Sequence, residues 1–150
     1  VEIIKKILFG KKINFQDPKI GTLTTRIKSN NPSIEYTWTG EYLIDDQKKE
    51  TVIILEGNLN GPHKAQLNSA YRIVDELDSI IERVDNELKE NASNYKKIKN
   101  WKEEFYFAAV TPYDQRENKF ELNFEPIDSN NNRYVSLIWS NGQINEVEGK

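Results

Sequence analysis

Cysteine is absent from this 150-residue chain and histidine occurs once, at His63. Without cysteine there is no disulfide, no thiolate metal site and no thiol nucleophile, and one imidazole rules out any site that needs two. A reducing, cytoplasmic setting is the simplest expectation. No stretch approaches the roughly 20 consecutive apolar residues of a membrane-spanning helix. The opening run from Ile3 to Phe9 is too short, and too interrupted by Lys5 and Lys6, to form a signal core.

An excess of positive charge is also missing. With 21 Lys and Arg against 24 Asp and Glu, the formal net charge is −3, so no overall field draws the protein to nucleic acid or to an anionic membrane, and neither is expected as a partner. Lys5, Lys6, Lys11, Lys12 and Lys19 do crowd the first twenty residues against Glu2 and Asp17, a local basic patch read as solvated surface. Hydrophobic residues make up only 37%, but three Trp, seven Tyr and six Phe are among them. At this length one domain, residues 1–150, buries roughly two-thirds of the surface its unfolded chain exposes, with large rings to close the core.

Periodicity places the elements. Ile3, Ile4, Ile7 and Leu8 around Lys5 and Lys6 suit a short amphipathic helix ending at Gly10. Residues 11–21, with Asp17-Pro18, read as a loop. Residues 22–28 alternate as a half-buried strand, and 33–44 resume the two-residue period with Ile34, Tyr36, Trp38, Tyr42 and Ile44 on one face. Gly40 interrupts that row of large side chains and suggests a bulge. Val52-Ile53-Ile54-Leu55 is apolar on both faces, as in a strand at the centre of a sheet.

Pro62 then stands where a first helical residue would be. Apolar residues at 67, 70, 71, 74, 77, 81, 84 and 88 form one stripe at steps of three and four. A helix over 62–90, from Pro62 to Glu90, would be about 43 Å long, so its end should overhang the sheet or bend. Ser93 suits the cap of a second short helix carrying Tyr95, Ile98 and Trp101.

Three aromatic-rich runs follow, at 104–113 (EFYFAAVTPY), 120–128 (FELNFEPID) and 134–139 (YVSLIW). Only turn residues separate them, which implies an antiparallel meander. Asn141-Gly142 is a strong hairpin signal that folds 143–148 back on the last run. The expected fold is α+β: a single antiparallel sheet of six to seven strands, in the order β-β-β-α-β-β-β-β after a short N-terminal helix, with the long helix packed on one face.

Few residues offer chemistry. Glu121, Asn123 and Glu125 share one strand face, but residues four apart on a strand lie about 13 Å from each other, beyond the carboxylate spacings of glycoside hydrolysis. They read as a solvated outer face. His63 opens the long helix without a second histidine or a metal-binding pattern, so it reads as a surface or capping residue. The glycines of 57–61 lack the Gly-Lys-Ser/Thr ending of a phosphate loop. No catalytic residue, metal site or cofactor is assigned. The outer face of the long helix is more suggestive, because Asp75, Glu76, Glu82, Glu87 and Glu90 outnumber Arg72 and Arg83. Such a ridge suits a basic partner surface, although i,i+4 pairs such as Arg72 with Glu76 also stabilise an ordinary exposed helix.

With the Trp38-x-Gly40 corner, the 120–128 strand and the closing VSLIWSNG at 135–142, the chain resembles small bacterial α+β proteins of unassigned function. Several such groups resemble immunity proteins of polymorphic or contact-dependent toxin systems. The resemblance implies a non-enzymatic protein-binding domain that neutralises a cognate toxin by occluding it, the partner being a secreted toxin domain. The alternatives are a small-molecule-binding or enzymatic domain with a pocket between sheet and helices, and an assembly module pairing through a sheet edge.

Overall fold

Residues 11–17 set Ile13 and Phe15 on one side and Lys12, Asn14 and Gln16 on the other, and they form a strand where a loop was expected. The computed structural model describes residues 1–91, 101–114 and 118–149, with the side chains of 87–91 and 114 outside that description. The chain begins with helix α1 (Glu2–Phe9), ended by Gly10 at φ 87°. Strands β1 (Lys11–Asp17) and β2 (Gly21–Ile27) form a hairpin in continuous register from Lys11↔Ile27 to Asp17↔Gly21. Asp17, which looked like a loop residue, makes the turn: its Oδ1 accepts the backbone N–H groups of Lys19 and Ile20 at 2.9 and 2.7 Å.

Strands β3 (Tyr36–Tyr42), β4 (Thr51–Asn58) and the two-residue β5 (Gly61–Pro62) come next. Helices α2 (Lys64–Asp75), α3 (Leu77–Asn91) and α4 (Trp101–Glu104) lead into β6 (Phe105–Asp114), β7 (Lys119–Pro126), β8 (Val135–Ser140) and β9 (Gln143–Gly149). Among the described residues, nine strands form one sheet in the order β1-β2-β3-β4-β6-β7-β8-β9, with β5 on β4. The count exceeds the expected six to seven because β1 and β5 join it. The sheet is also mixed: β4 and β6 run parallel, with Val52↔Ala109 and Ile53↔Val110 in register. A strand–helix–strand connection is long enough to return the chain in the same direction, so this pairing needs no reversal. The meander β6–β9 is antiparallel throughout, and Asn141 and Gly142, at φ 49° and 87°, make the tight turn that their sequence announces.

Gly40 causes no bulge. It pairs directly with Leu23 and Ile53, and a Cβ on it would lie 2.7 Å from Leu23 Cδ2 and 2.9 Å from Thr22 O. The glycine lets β2 approach β3 closely.

The single helix expected from Pro62 to Glu90 is two. Pro62 pairs with Gly57 in β5, and His63 takes the N-cap position of α2. At Glu76, φ −105° and ψ 12°, the N–H is shared between the carbonyls of Arg72 and Ile73 and the helix bends before Leu77. The buried stripe is rotated from the one expected: Leu67, Ala70, Ile73, Leu77, Ile80, Ile81 and Val84 are buried, while Tyr71 and Val74 pack at its margin. Adjacent apolar residues such as Ile73 and Val74 fit two stripes about 100° apart, and packing selects one. Ser93, Tyr95 and Ile98 lie outside the described residues.

These helices share one core with the inner sheet face, which contributes Leu23, Trp38, Ile53, Leu55, Phe107, Val110, Phe120, Leu122, Phe124, Leu137 and Trp139. Phe124 sits between Phe107, at 4.9 Å between ring centroids, and Trp101, edge-on at 5.5 Å. In a flat sheet β1 and β9 would lie about 34 Å apart. Yet Tyr71 bonds to Asp17 at the β1–β2 turn, while the neighbouring Arg72 would crowd a Cβ at Gly142 in the β8–β9 turn to 2.4 Å. The sheet therefore curls around α2 and turns its other face outward.

Candidate functional site

Bending at Glu76 divides the acidic ridge. Asp75, at the end of α2, is bound by Lys19 from the β1–β2 turn at 2.5 Å, and Glu76 lies 3.6 Å from Arg72. Glu82 is exposed on α3, and the side chains of Glu87 and Glu90 fall outside the described residues. Beside Glu82, Arg83 reaches across to donate to the Gly142 carbonyl at 2.7 Å. In its described part the ridge is thus laced to the sheet by cations, and two of its three carboxylates already have partners.

A second acidic surface lies on the outer sheet face. Phe120, Leu122 and Phe124 point inward and are buried, which turns Glu121, Asn123 and Glu125 outward as their alternation requires. Register adds what a single strand does not show. Ile138 stands between Glu121 on β7 and Glu146 on β9, and Ser136 stands between Asn123 and Glu148. Four carboxylates from two strands flanking β8 therefore share one face. Their hydrogen bonds orient them: Ser136 Oγ donates to Glu121 Oε1 at 3.0 Å, Tyr106 to Glu125 at 2.9 Å and Tyr134 to Glu148 at 2.7 Å.

Both phenols are shifted accordingly. Burial, reinforced by the hydrogen bond and charge of Glu125, raises Tyr106 above the usual phenol range, and the hydrogen bond to Glu148 does most of the same for Tyr134. Lys49 lies 4.7 Å from the Tyr106 ring centroid and Lys119 closes the opposite end of the face. On the same face, nearer β3, Glu50 is raised above the usual carboxylate range by its hydrogen bond with Glu41 and by that neighbour's charge. The sheet face thus presents fixed acceptors and aromatic hydroxyls, an arrangement suited to cationic side chains. The row at Glu121 was visible in the sequence. Glu146 and Glu148 were missed: the Asn141-Gly142 hairpin, followed residue by residue, pairs Glu146 with Leu137, and only the register shift between Ile138 and Trp139 sets Glu146 opposite Ile138 on the outer face.

The other candidates have structural roles. His63 Nε2 lies 2.8 Å from Glu35 Oε2, and its backbone N–H donates to the Glu56 carbonyl, which fixes the start of α2. The 57–61 segment is a tight hairpin in which a Cβ on Gly57 would fall 2.1 Å from the Gly61 carbonyl oxygen. No cluster of three or more His, Asp or Glu suited to a metal ion occurs among the described residues. A recess of about 370 Å³ opens where the β3–β4 connection meets α4 and β6, lined by Ile44, Gln47, Lys49, Trp101, Phe105 and Tyr106 among others. It lies at the end of the sheet, away from the α2–sheet interface.

No family model matches the chain, and comparison with curated proteins and with solved structures finds no match to it.

Proposed function

We propose that this is a non-enzymatic protein-binding domain, most concretely a cytoplasmic immunity-type inhibitor that occludes a basic surface of a cognate toxin. The observation that supports the reading is the outer sheet face, where Glu121, Glu125, Glu146 and Glu148 are gathered by register and three of them are oriented by Ser136, Tyr106 and Tyr134. Carboxylates already held in place lose little freedom on binding, and tyrosines among them are residues favoured at the centre of interfaces. The acidic ridge of Asp75, Glu76, Glu82, Glu87 and Glu90, on the helical side, is the second surface such a partner would use. The test is coexpression with the toxic C-terminal domain of a large secreted protein encoded by a neighbouring gene. The expected result is a nanomolar complex and restored growth. Failure to bind any such neighbour, with a small molecule co-purifying instead, would overturn the reading.

The recess beside Trp101 favours one alternative. Its volume of about 370 Å³ lies within the range of small-ligand sites, and Lys49 and Tyr106 stand at its rim. Under that reading Ile127→Trp, at an exposed position lining the recess, would block ligand binding and leave the outer face untouched.

A further inference from the structure

The exposed apolar surface of this protein is concentrated in one place. Of ten large hydrophobic side chains that remain exposed among the described residues, six lie in the first nine, and the other four are scattered as Ile34, Leu43, Tyr113 and Ile127. Helix α1 buries nothing: Ile3, Ile4, Ile7 and Leu8 are 76, 61, 74 and 55% exposed. At 100° per residue these four occupy an arc of about 140°, while Lys5 and Lys6 flank it on its two sides. The helix nevertheless holds its place. Gly10 ends it with a backbone N–H bond to the Lys6 carbonyl, Arg26 Nη1 donates to the Gly10 carbonyl at 3.0 Å, and a Cβ at Gly10 would collide with Ile27 O at 2.3 Å.

The surroundings of α1 are basic. Two clefts of about 280 and 400 Å³ run along it, and between them they are lined by Lys6, Lys11, Lys12, Arg26 and Lys28, with Glu2 the only acid. Residues 1–28 hold seven basic and two acidic side chains, and the rest of the chain holds 14 and 22. The net charge of −3 conceals this separation.

We propose that α1 and the cations around Gly10 form a docking surface for an anionic phospholipid bilayer. A short helix with an apolar arc, lysines on both borders and a basic flank lies in the plane of a membrane interface: its isoleucines enter the acyl boundary and its lysine stems extend toward headgroup phosphates. Charge complementarity selects the lipid. Each Lys or Arg near an acidic leaflet adds to attraction, and the acidic remainder of the domain turns its other faces away. One eight-residue helix binds reversibly, so this is peripheral contact. No helix among the described residues is long and apolar enough to cross a membrane.

The test is co-sedimentation of the full chain with vesicles of phosphatidylcholine containing about 30% phosphatidylglycerol, against pure phosphatidylcholine, at low and high salt. Binding at least about tenfold stronger to the anionic vesicles is expected, falling with salt. Joint replacement K5Q, K6Q, K11Q and K12Q should lower it about tenfold or more, and I3D with I7D should reduce it to background. All these positions are exposed, so circular dichroism should be unchanged. Equal binding to neutral vesicles, or none to anionic ones, would overturn the proposal. So would a concentration-dependent dimer abolished by I3D and I7D without vesicle binding, which would make a second copy the occupant of α1.

Discussion

The hydroxyl of Tyr71 on α2 donates a hydrogen bond to Asp17 Oδ2, while the other oxygen of the same carboxylate accepts the N–H groups of Lys19 and Ile20. One 6%-exposed carboxylate therefore shapes the first hairpin and ties it to the helix at the centre of the curled sheet. Removing the hydroxyl with Tyr71→Phe should cost about 1.5 kcal/mol, as for hydrogen bonds to charged groups. Asp17→Ala orphans three donors at once and should cost about 3 kcal/mol. Because the residues share one bond, urea unfolding of the double variant should show a coupling of about 1 kcal/mol. Strict additivity would mean that α2 and the hairpin are held independently.

The same pair makes stability depend on pH at both ends of the scale. Burial works against the charge on Asp17, but the N–H of Ile20, the Tyr71 hydroxyl, the N–H of Lys19 and the Lys19 charge outweigh it and keep the carboxyl below its usual range. A depressed folded-state pKa means that its contribution is complete above the unfolded value of about 3.9 and disappears as pH falls through the folded one. Tyr71 is pushed up to about 12, by burial first and then by the hydrogen bond and charge of Asp17. Its contribution is complete below about pH 10 and disappears as pH rises through 12. Melting temperatures should therefore decline on both sides, with Asp17→Asn flattening the acid limb and Tyr71→Phe the alkaline one. Tyr106 and Tyr134, also raised, keep part of the alkaline slope in the second variant. Unchanged acid and alkaline limbs in these variants would disconnect both groups from folding.

Gly57 provides the sharpest steric prediction. Its missing Cβ would meet the Gly61 carbonyl oxygen at 2.1 Å and Pro62 Cα at 2.6 Å, both of them backbone atoms that cannot rotate away. Gly57→Ala should push β5 from β4, shift the His63 N-cap and lose about 3 kcal/mol. Gly142→Ala is the control. There the nearest atom is Arg72 Nη2, the end of a flexible side chain, so the cost should come mainly from the φ of 87° and stay near 1 kcal/mol. Comparable losses for the two variants would show that the β4–β5 hairpin yields more easily than its geometry suggests.

These residues also show how much of the architecture could be read beforehand. The meander was legible because four strands joined by short turns have one economical arrangement, and Asn141-Gly142 named its own turn. Strand β1 was not, since Asp17-Pro18 resembles loop chemistry until Asp17 is seen to accept the N–H groups of its own turn. The bend at Glu76 left no mark in the sequence, as Glu76 is a good helix former, and it shows only in the backbone, where φ −105° and ψ 12° share the Glu76 N–H between the carbonyls of Arg72 and Ile73. For the candidate site the alternation at Glu121 and Glu125 was visible. Its union with Glu146 and Glu148 depends on inter-strand register, which a periodic pattern constrains only once pairing is known.

Two acidic surfaces on opposite sides of one domain can be distinguished by how each affects a basic partner. On the sheet side, the set E121K, E125K, E146K and E148K alters exposed or half-buried positions whose hydrogen bonds are to side chains, so folding should survive. On the helical side, the set E76K, E82K and E87K reverses three charges of the ridge. If the partner seats on the sheet, the first set should weaken the complex about 100-fold or more through dissociation as well as association, because oriented carboxylates at the centre of an interface lose both contact and complementarity. The second set should then lower only the association rate, an effect that added salt erases within the Debye length of about 10 Å at 0.1 M. Surface plasmon resonance at two ionic strengths separates the cases. A salt-insensitive loss of affinity from the helical set, with none from the sheet set, would move the binding surface to Glu76, Glu82 and Glu87 and leave Glu121, Glu125, Glu146 and Glu148 as a solvated face.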